Sequence, residues 1–229
     1  MRSYSKYAEP DSEELALGFS PVPEVSDFGR VRAGLGAGGR VSDRDFDRIF
    51  PPEIQTLSRV HWTPVAVARR AAELLTGGAA GRVLDVGAGV GKFSLVAALS
   101  SGAEIVGLEQ RLPFVRLARE LARRYRVPRA HFVAGDALEI EWRPFDGVYL
   151  YNPFCESLHP SRQIDLDIPV GIPVYRDSLR KTEQRLSEMR AGSRVLLYHG
   201  FGGEMPASFR LETTECRGSG SLELWVKAT

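Results

Sequence analysis

The spacing of apolar and polar positions changes character along this chain. Over the first 40 or so residues no period persists. Pro10, Pro21 and Pro23 punctuate the segment, and "AGLGAGG" at Ala33–Gly39 reads as a flexible linker. From "SDRDFDRIFPPEIQTLSRVHWTP" onward the pattern is amphipathic and helical. Ser42 or Asp43 is placed to cap a short helix through Ile49, which Pro51 and Pro52 stop. Thr63 followed by Pro64 predicts a capped helix start; Val65, Ala68, Ala72 and Leu75 then share one face, and Gly77 and Gly78 end the helix. Beyond Arg82 strand and helix alternate. "RVLDV", "EIVGLE", "HFVAGD", "FDGVYLY" and "SRVLLYHG" read as strands, with "GKFSLVAAL", "LPFVRLARELARRY" and "VYRDSLRKTEQRLSEM" as helices among them. "FRLETTEC" and "SLELWVKA", separated by "RGSG", close the chain as a hairpin-like pair.

This pattern predicts an α/β fold: a doubly wound, mostly parallel seven-stranded sheet with one antiparallel strand, helices on both faces and an N-terminal helical extension. The expected division is an extension over residues 1–60, partly flexible and then helical, and an α/β domain over 61–229. Ligands of such sheets bind at the carboxyl ends of the strands, near the point where strand order reverses. The segments of interest are therefore Asp85–Gly91, Glu109–Gln110, Gly135–Ala137, Tyr151–Phe154 and His199–Gly202.

Composition narrows the function classes. A chain of 229 residues with 43% hydrophobic and 26% charged residues is an ordinary soluble globular protein. Its net charge of +1 lacks the basic excess of a dedicated duplex-DNA binder. The basic run "RRYRVPR" at Arg123–Arg129 reads first as a solvated helix end whose cations suit the C-terminal dipole. Two cysteines, Cys155 and Cys216, make neither a disulfide framework nor a metal spacing. The start has no signal-peptide core, and no run approaches the roughly 18 apolar residues of a membrane helix. A cytoplasmic protein without membrane contact and without a metal is expected.

The chemistry centres on "VLDVGAGVGK", Val83–Lys92. A phosphate loop needs a longer glycine spacing and a hydroxyl after the lysine; here the glycines are one residue short and Phe93 stands at that place. A dinucleotide turn needs G-x-G-x-x-G, whereas Gly87, Gly89 and Gly91 give G-x-G-x-G, and Asp85 would repel a pyrophosphate. An aminoacyl nucleoside without phosphate fits better. Asp85 can balance an ammonium group, directly or through water, and the glycines leave backbone for the amino-acid part to pass. Glu109, 18 positions after Gly91, stands where an acid accepts both ribose hydroxyls, and Asp136 can take an adenine amine.

Taken together, these segments resemble the class I S-adenosylmethionine-dependent methyltransferases over roughly residues 60–200. "VLDVGAGVGKF" is similar to their first motif, "VGLEQ" to their ribose-binding acid, "GDALE" to their adenine-contacting segment and "FDGVYLYNPF" to their fourth motif. The resemblance implies S-adenosyl-L-methionine as cofactor, a methyltransferase domain over 61–229, and contacts from Asp85, Gly87, Ala88, Gly89, Glu109, Gln110, Asp136, Ala137 and Asn152. "HWTPVAVA" resembles the Thr-Pro segment that closes over the methionine end of the cofactor, which adds Thr63.

Methyl transfer from a sulfonium is an in-line displacement governed by positioning of a neutral lone pair. "YNPF" supplies Asn152 to accept an acceptor N–H, Pro153 to stiffen the turn, and Tyr151 and Phe154 as flat surfaces. It is similar to the Asn/Asp-Pro-Pro-aromatic motif of amino-methylating enzymes, but lacks the second proline. Protein lysine or a small-molecule amine is the favoured acceptor, with RNA or DNA bases as the alternative. His199 is a further candidate for acceptor deprotonation. Cys155 reads as a small filler. His159, Asp165 and Asp167 fall in a long segment, 155–175, that reads as an acceptor-side lid. A non-catalytic cofactor-binding subunit and a nicotinamide oxidoreductase are the rival readings.

Overall fold

The computed structural model describes residues 18–79, 81–159, 163–165 and 167–228, the side chain of Arg59 excepted. Expectations placed on residues 1–17, and on positions 160–162 and 166 of the 155–175 segment, lie outside the described residues.

Among the described residues four helices lead into the sheet: α1 (Phe28–Gly36), α2 (Asp43–Asp47), α3 (Pro52–His61) and α4 (Val65–Thr76). The expected flexible linker is corrected here, because Ala33–Gly36 form the last turn of α1. Phe28, Val31 and Leu35 recur at i, i+3 and i+7 and are buried, and that stripe outweighs the weak helix propensity of the glycines. The remaining glycines are pinned as well. Gly39 donates its N–H to the carbonyl of Gly34 at 2.7 Å, and Arg69 donates to the carbonyls of Gly38 and Gly39. Ser42 caps α2 through its hydroxyl, which accepts the N–H of Asp45 at 3.1 Å.

The expected Thr63 cap is likewise corrected. The first N–H of α4, at Val65, goes to Oδ1 of Asp43 at 2.9 Å, and Thr63 directs its hydroxyl to Tyr149 instead. Pro64 sets the extended entry but is not itself helical. The face of Val65, Ala68, Ala72 and Leu75 is buried as its spacing predicts, and Gly77 ends the helix in the left-handed region at φ +57°.

The sheet then builds through β1 (Arg82–Val86), α5 (Lys92–Ser101), β2 (Glu104–Glu109), α6 (Leu112–Arg124), β3 (Ala130–Ala134), β4 (Gly147–Tyr151), α7 (Cys155–Leu158), α8 (Ile172–Glu188), β5 (Arg194–Tyr198), β6 (Phe209–Arg217) and β7 (Gly220–Lys227). Its order is β3-β2-β1-β4-β5-β7-β6. Strands β1 to β5 pair in parallel; β7 is antiparallel to both β5 and β6, so it alone among the seven is reversed. The predicted sheet, with its one antiparallel strand, is the observed one. Part of the expected lid is helical, since α7 opens it and α8 begins at Ile172 with Pro173 in its first turn, a place proline suits.

Alternation along each strand divides the apolar residues between two cores. Val83, Ile105 and Tyr149 face one core with α4, α5 and α6, which also receives Phe28, Phe46, Phe50 and Ile54 of the N-terminal helices. Leu84, Val106 and Val148 face the other, with Trp142, Phe145 and Leu186 of α8. Strand order reverses between β1 and β4, so their carboxyl ends open a crevice.

The turn from β1 to α5 is shaped by packing. Gly91 has φ +82°, and a Cβ there would stand 2.5 Å from the Phe132 ring of β3. Gly91→Ala should therefore lose roughly 2–4 kcal/mol, from overpacking together with the left-handed backbone, read from urea unfolding midpoints at unchanged slope.

Candidate functional site

Two adjoining cavities lie in the crevice. One, of about 520 Å³, is walled by Gly87, Glu109, Gln110, Asp136, Ala137 and Phe154, and closed by Ile168–Val170 and the start of α8. The other, of about 370 Å³, is walled by Thr63, Asp85, Ala88, Gly89, Tyr149, Tyr151 and Asn152. Gly87, Glu109, Arg111, Pro153 and Glu156 border both. Every site residue expected from the sequence thus lines one cavity or the other. Cys155, His159 and His199 line the second, while Asp165 touches the site through Arg111.

Asp85 occupies the position of β1 that faces α5, and its carboxylate accepts the hydroxyl of Ser94 at 2.6 Å. Burial pushes its pKa from 3.8 up to about 7; the Ser94 hydroxyl pulls the other way, and Glu109 adds a smaller upward push. Glu109 ends β2 and accepts the N–H of Gly89 at 3.0 Å and that of Arg111 at 2.9 Å. Burial raises its pKa too, against the pull of those two residues. Asp136 uses one oxygen to accept the N–H of Leu138 at 2.8 Å, which caps a short 3-10 turn at Ala137–Glu139.

The glycines divide by role. The sequence reading leaves all three bare for a ligand, but a Cβ at Gly89 would overlap the Trp62 indole and one at Gly91 the Phe132 ring. These two glycines are required by the protein's own packing. A Cβ at Gly87 would meet nothing nearer than Pro153 at 3.9 Å, and this glycine borders both cavities.

At the far end, Asn152 and His199 follow β4 and β5 in the left-handed region, at φ +38° and +59°. Non-glycine residues there carry strain of about 1–3 kcal/mol, which surrounding structure must hold in place. The N–H of Asn152 donates to Gly200 at 3.1 Å, and Nε2 of His199 lies 3.3 Å from the Ser219 hydroxyl on the turn between β6 and β7. Gly220 has no side chain to block the His199 ring, which lies where its Cβ would be.

Several site residues escaped sequence reasoning. Tyr149 stacks on Phe93 at 3.7 Å and shares a 2.8 Å hydrogen bond with Thr63; burial holds its phenol well above the ordinary range, so it stays neutral. Arg111 lies between the cavities and pairs with Glu156 at 2.9 Å and Asp165 at 2.6 Å, with Glu109 at 3.8 Å. It thereby fastens the segment after β4 to the end of β2. The adjacent "EQR" gave no sign of this, because the partner acids lie 45 and 54 positions away. Among the described residues no cluster of His, Cys, Asp or Glu is arranged to hold a metal, and no helix is long and apolar enough to cross a membrane.

Comparison with known proteins bears on the same crevice. Residues 83–165 match a protein family described as a methyltransferase domain. The 23S rRNA (uracil(1939)-C(5))-methyltransferase RlmD of Nitrosococcus oceani is 34% identical over 132 residues, or 56% of this chain. The chain spans 28% of that relative's length. An RNA methyltransferase from Salinibacter ruber, solved with S-adenosyl-L-homocysteine, superposes with a TM-score of 0.52 at 22% identity, over 72% of this chain and 93% of that one. TrmN from Thermus thermophilus gives 0.53 at 20% identity, over 72% and 49%. Residues 83–165 are thus similar to a methyltransferase domain, and the sheet that holds them has the Rossmann-like fold of the superposed methyltransferase structures.

Proposed function

We propose that this chain is an S-adenosylmethionine-dependent methyltransferase acting on nitrogen, with a neutral amine of a small molecule or a protein lysine as acceptor. The observation that carries this reading is the pair of cavities meeting at Glu109, one bordered by Asp136 and the other by Asp85 and Asn152. The residues fit the cofactor in chemistry as well as in place. A cleft whose acids are Asp85, Glu109 and Asp136 suits a ligand that offers an ammonium, two ribose hydroxyls and an adenine amine. In this reading Gln110, Asp136 and Ala137 hold adenine and Glu109 the ribose. Thr63, Asp85, Gly87, Ala88 and Gly89 surround the amino-acid part.

When bound, the cofactor supplies an electrophilic methyl group on a sulfonium. The chain's own contribution is placement. The Asn152 side-chain carbonyl accepts an N–H of the acceptor and directs its lone pair inward. Tyr151 and Phe154 give flat walls, and Pro153 fixes the turn between the cavities. An ammonium acceptor must lose a proton before it can attack, and His199, at the rim of the same cavity, is the base in this reading. A second reading, a base in RNA, is favoured by the likeness to the rRNA-modifying relative and by the exposed Arg123, Arg124, Arg126 and Arg129. Incubation with methyl-labelled cofactor and fractionated lysate separates the two by whether label enters small molecules, protein or RNA.

Calorimetry with S-adenosylmethionine should give binding; no binding would sink the proposal. Asp85 adds a proton signature. With its pKa raised to about 7 in the free protein, it contributes stability below pH 3.8 that is lost as pH rises toward 7. An ammonium placed beside it favours the carboxylate, so binding near pH 6.5 should release a fraction of a proton. Titrations in buffers of different ionisation enthalpy read that fraction, and Asp85→Asn should abolish it and weaken binding.

Asn152→Gly keeps the left-handed backbone while deleting the amide. It should lower kcat by about 100-fold with the cofactor KM nearly unchanged, and an unaltered kcat would remove Asn152 from the acceptor-positioning role.

A further inference from the structure

Lys92 is the first residue of α5 and is buried, with its side chain 2% exposed. Both facts are unfavourable for a cation: the positive end of a helix dipole opposes it, and removal from water costs several kcal/mol before partners respond. Two carboxylates and a hydroxyl surround Lys92, with hydrogen bonds to Asp43 and Ser58 and an ion pair to Asp47. Its Nζ lies 2.7 Å from Oδ1 of Asp43, 2.7 Å from Oδ1 of Asp47 and 2.9 Å from the hydroxyl of Ser58. Asp43 and Asp47 come from α2 and Ser58 from α3. Oδ1 of Asp43 also accepts the first N–H of α4. One ammonium therefore ties α2, α3 and α4 to the helix that follows the glycine turn.

Replacement of such a buried ion pair by apolar residues is often neutral or stabilising, so stability alone does not account for it; fixing one arrangement of the surrounding elements does. What is fixed is the wall of the smaller cavity. Three residues after Ser58, α3 ends at His61; Trp62 then lies on Gly89, and Thr63 reaches the Tyr149 hydroxyl. Val60, His61, Trp62 and Thr63 line that cavity, whereas no residue of 42–64 lines the larger one. Lys92 borders neither.

We propose that Lys92 is a positioning residue for the methionine half of the cofactor, acting through the segment Ser58–Thr63, which it locks against the glycine turn. This makes the N-terminal helices part of the cofactor site. The inference rests on the cofactor reading above, and the two halves of the ligand allow it to be tested separately. In that reading adenosine occupies the larger cavity alone, whereas S-adenosylhomocysteine spans both.

The test is calorimetric affinity of full-length wild type, Lys92→Met and Lys92→Arg for adenosine and for S-adenosylhomocysteine, with far-UV circular dichroism as the check on folding. Lys92→Met should bind S-adenosylhomocysteine about ten-fold more weakly while holding adenosine within about two-fold, and Lys92→Arg should recover part of the loss. Equal weakening of both ligands would overturn the proposal by making Lys92 a general fold determinant, and so would unchanged affinity for both. Should Lys92→Met not fold, Ser58→Ala removes one partner and leaves the ion pairs. It should shift the affinity ratio in the same direction by about two- to five-fold, and an unmoved ratio overturns the proposal. Wild type that binds adenosine but not S-adenosylhomocysteine, or binds neither, defeats the cofactor reading instead.

Discussion

Two aromatic rings press on the backbone of the turn after β1, and the crevice is built around that constraint. Trp62 bears on Gly89 from the N-terminal helices, and Phe132 bears on Gly91 from β3. Only chain with positive φ and no side chain fits between them, which is why φ is +55° and +82° at those positions. Glu109 then fastens the turn from a third direction by accepting the N–H of Gly89. The chain's own contacts thus hold the turn from three sides. Of its three glycines, Gly87 is the one that presents backbone to both cavities.

This packing bears on the electrostatics. Asp85 is held in the sheet and cannot swing out to water, so its desolvation appears as a raised pKa. Glu109 faces the same burial and its pKa is raised too, though backbone N–H groups and the nearby Arg111 guanidinium oppose the rise. The two acids are prepared differently: Glu109 is already engaged and can add hydroxyl donors, while Asp85 gains most from a cation. That difference matches a ligand with neutral donors at one point and an ammonium at another, the division assumed in the proposed function.

The fold was legible because it is local and periodic. Strands such as "RVLDV" and "EIVGLE" carry their burial in consecutive residues, and the closing pair without a helix between them implied the reversed strand. The residues lining the crevice were legible for the same reason, since strand ends can be counted along the chain. What sequence could not give were contacts between distant segments. Asp43 caps α4 from 22 positions away, Lys92 finds Ser58 at 34, and Thr63 meets Tyr149 at 86. The same blindness produced the linker error. A glycine-rich stretch carries its flexibility in its composition, while the carbonyls of Gly38 and Gly39 are held by Arg69, which composition does not reveal.

The larger cavity and the smaller one differ in where their walls come from, and this has a consequence for how such a site can vary. The larger is lined by the ends of β1, β2 and β3, the turn at Pro153–Phe154 and the start of α8, none of which precedes β1 in the chain. The smaller adds residues that precede it, Val60 to Thr63, held in place by a network the cavity never touches. Changes in α2 or α3 can therefore move Trp62 and Thr63 while leaving Gln110, Asp136 and Ala137 where they are. In the proposed reading the adenosine contacts and the reacting end are thus separable, so acceptor geometry can be altered from the N-terminal helices without disturbing recognition of the nucleoside.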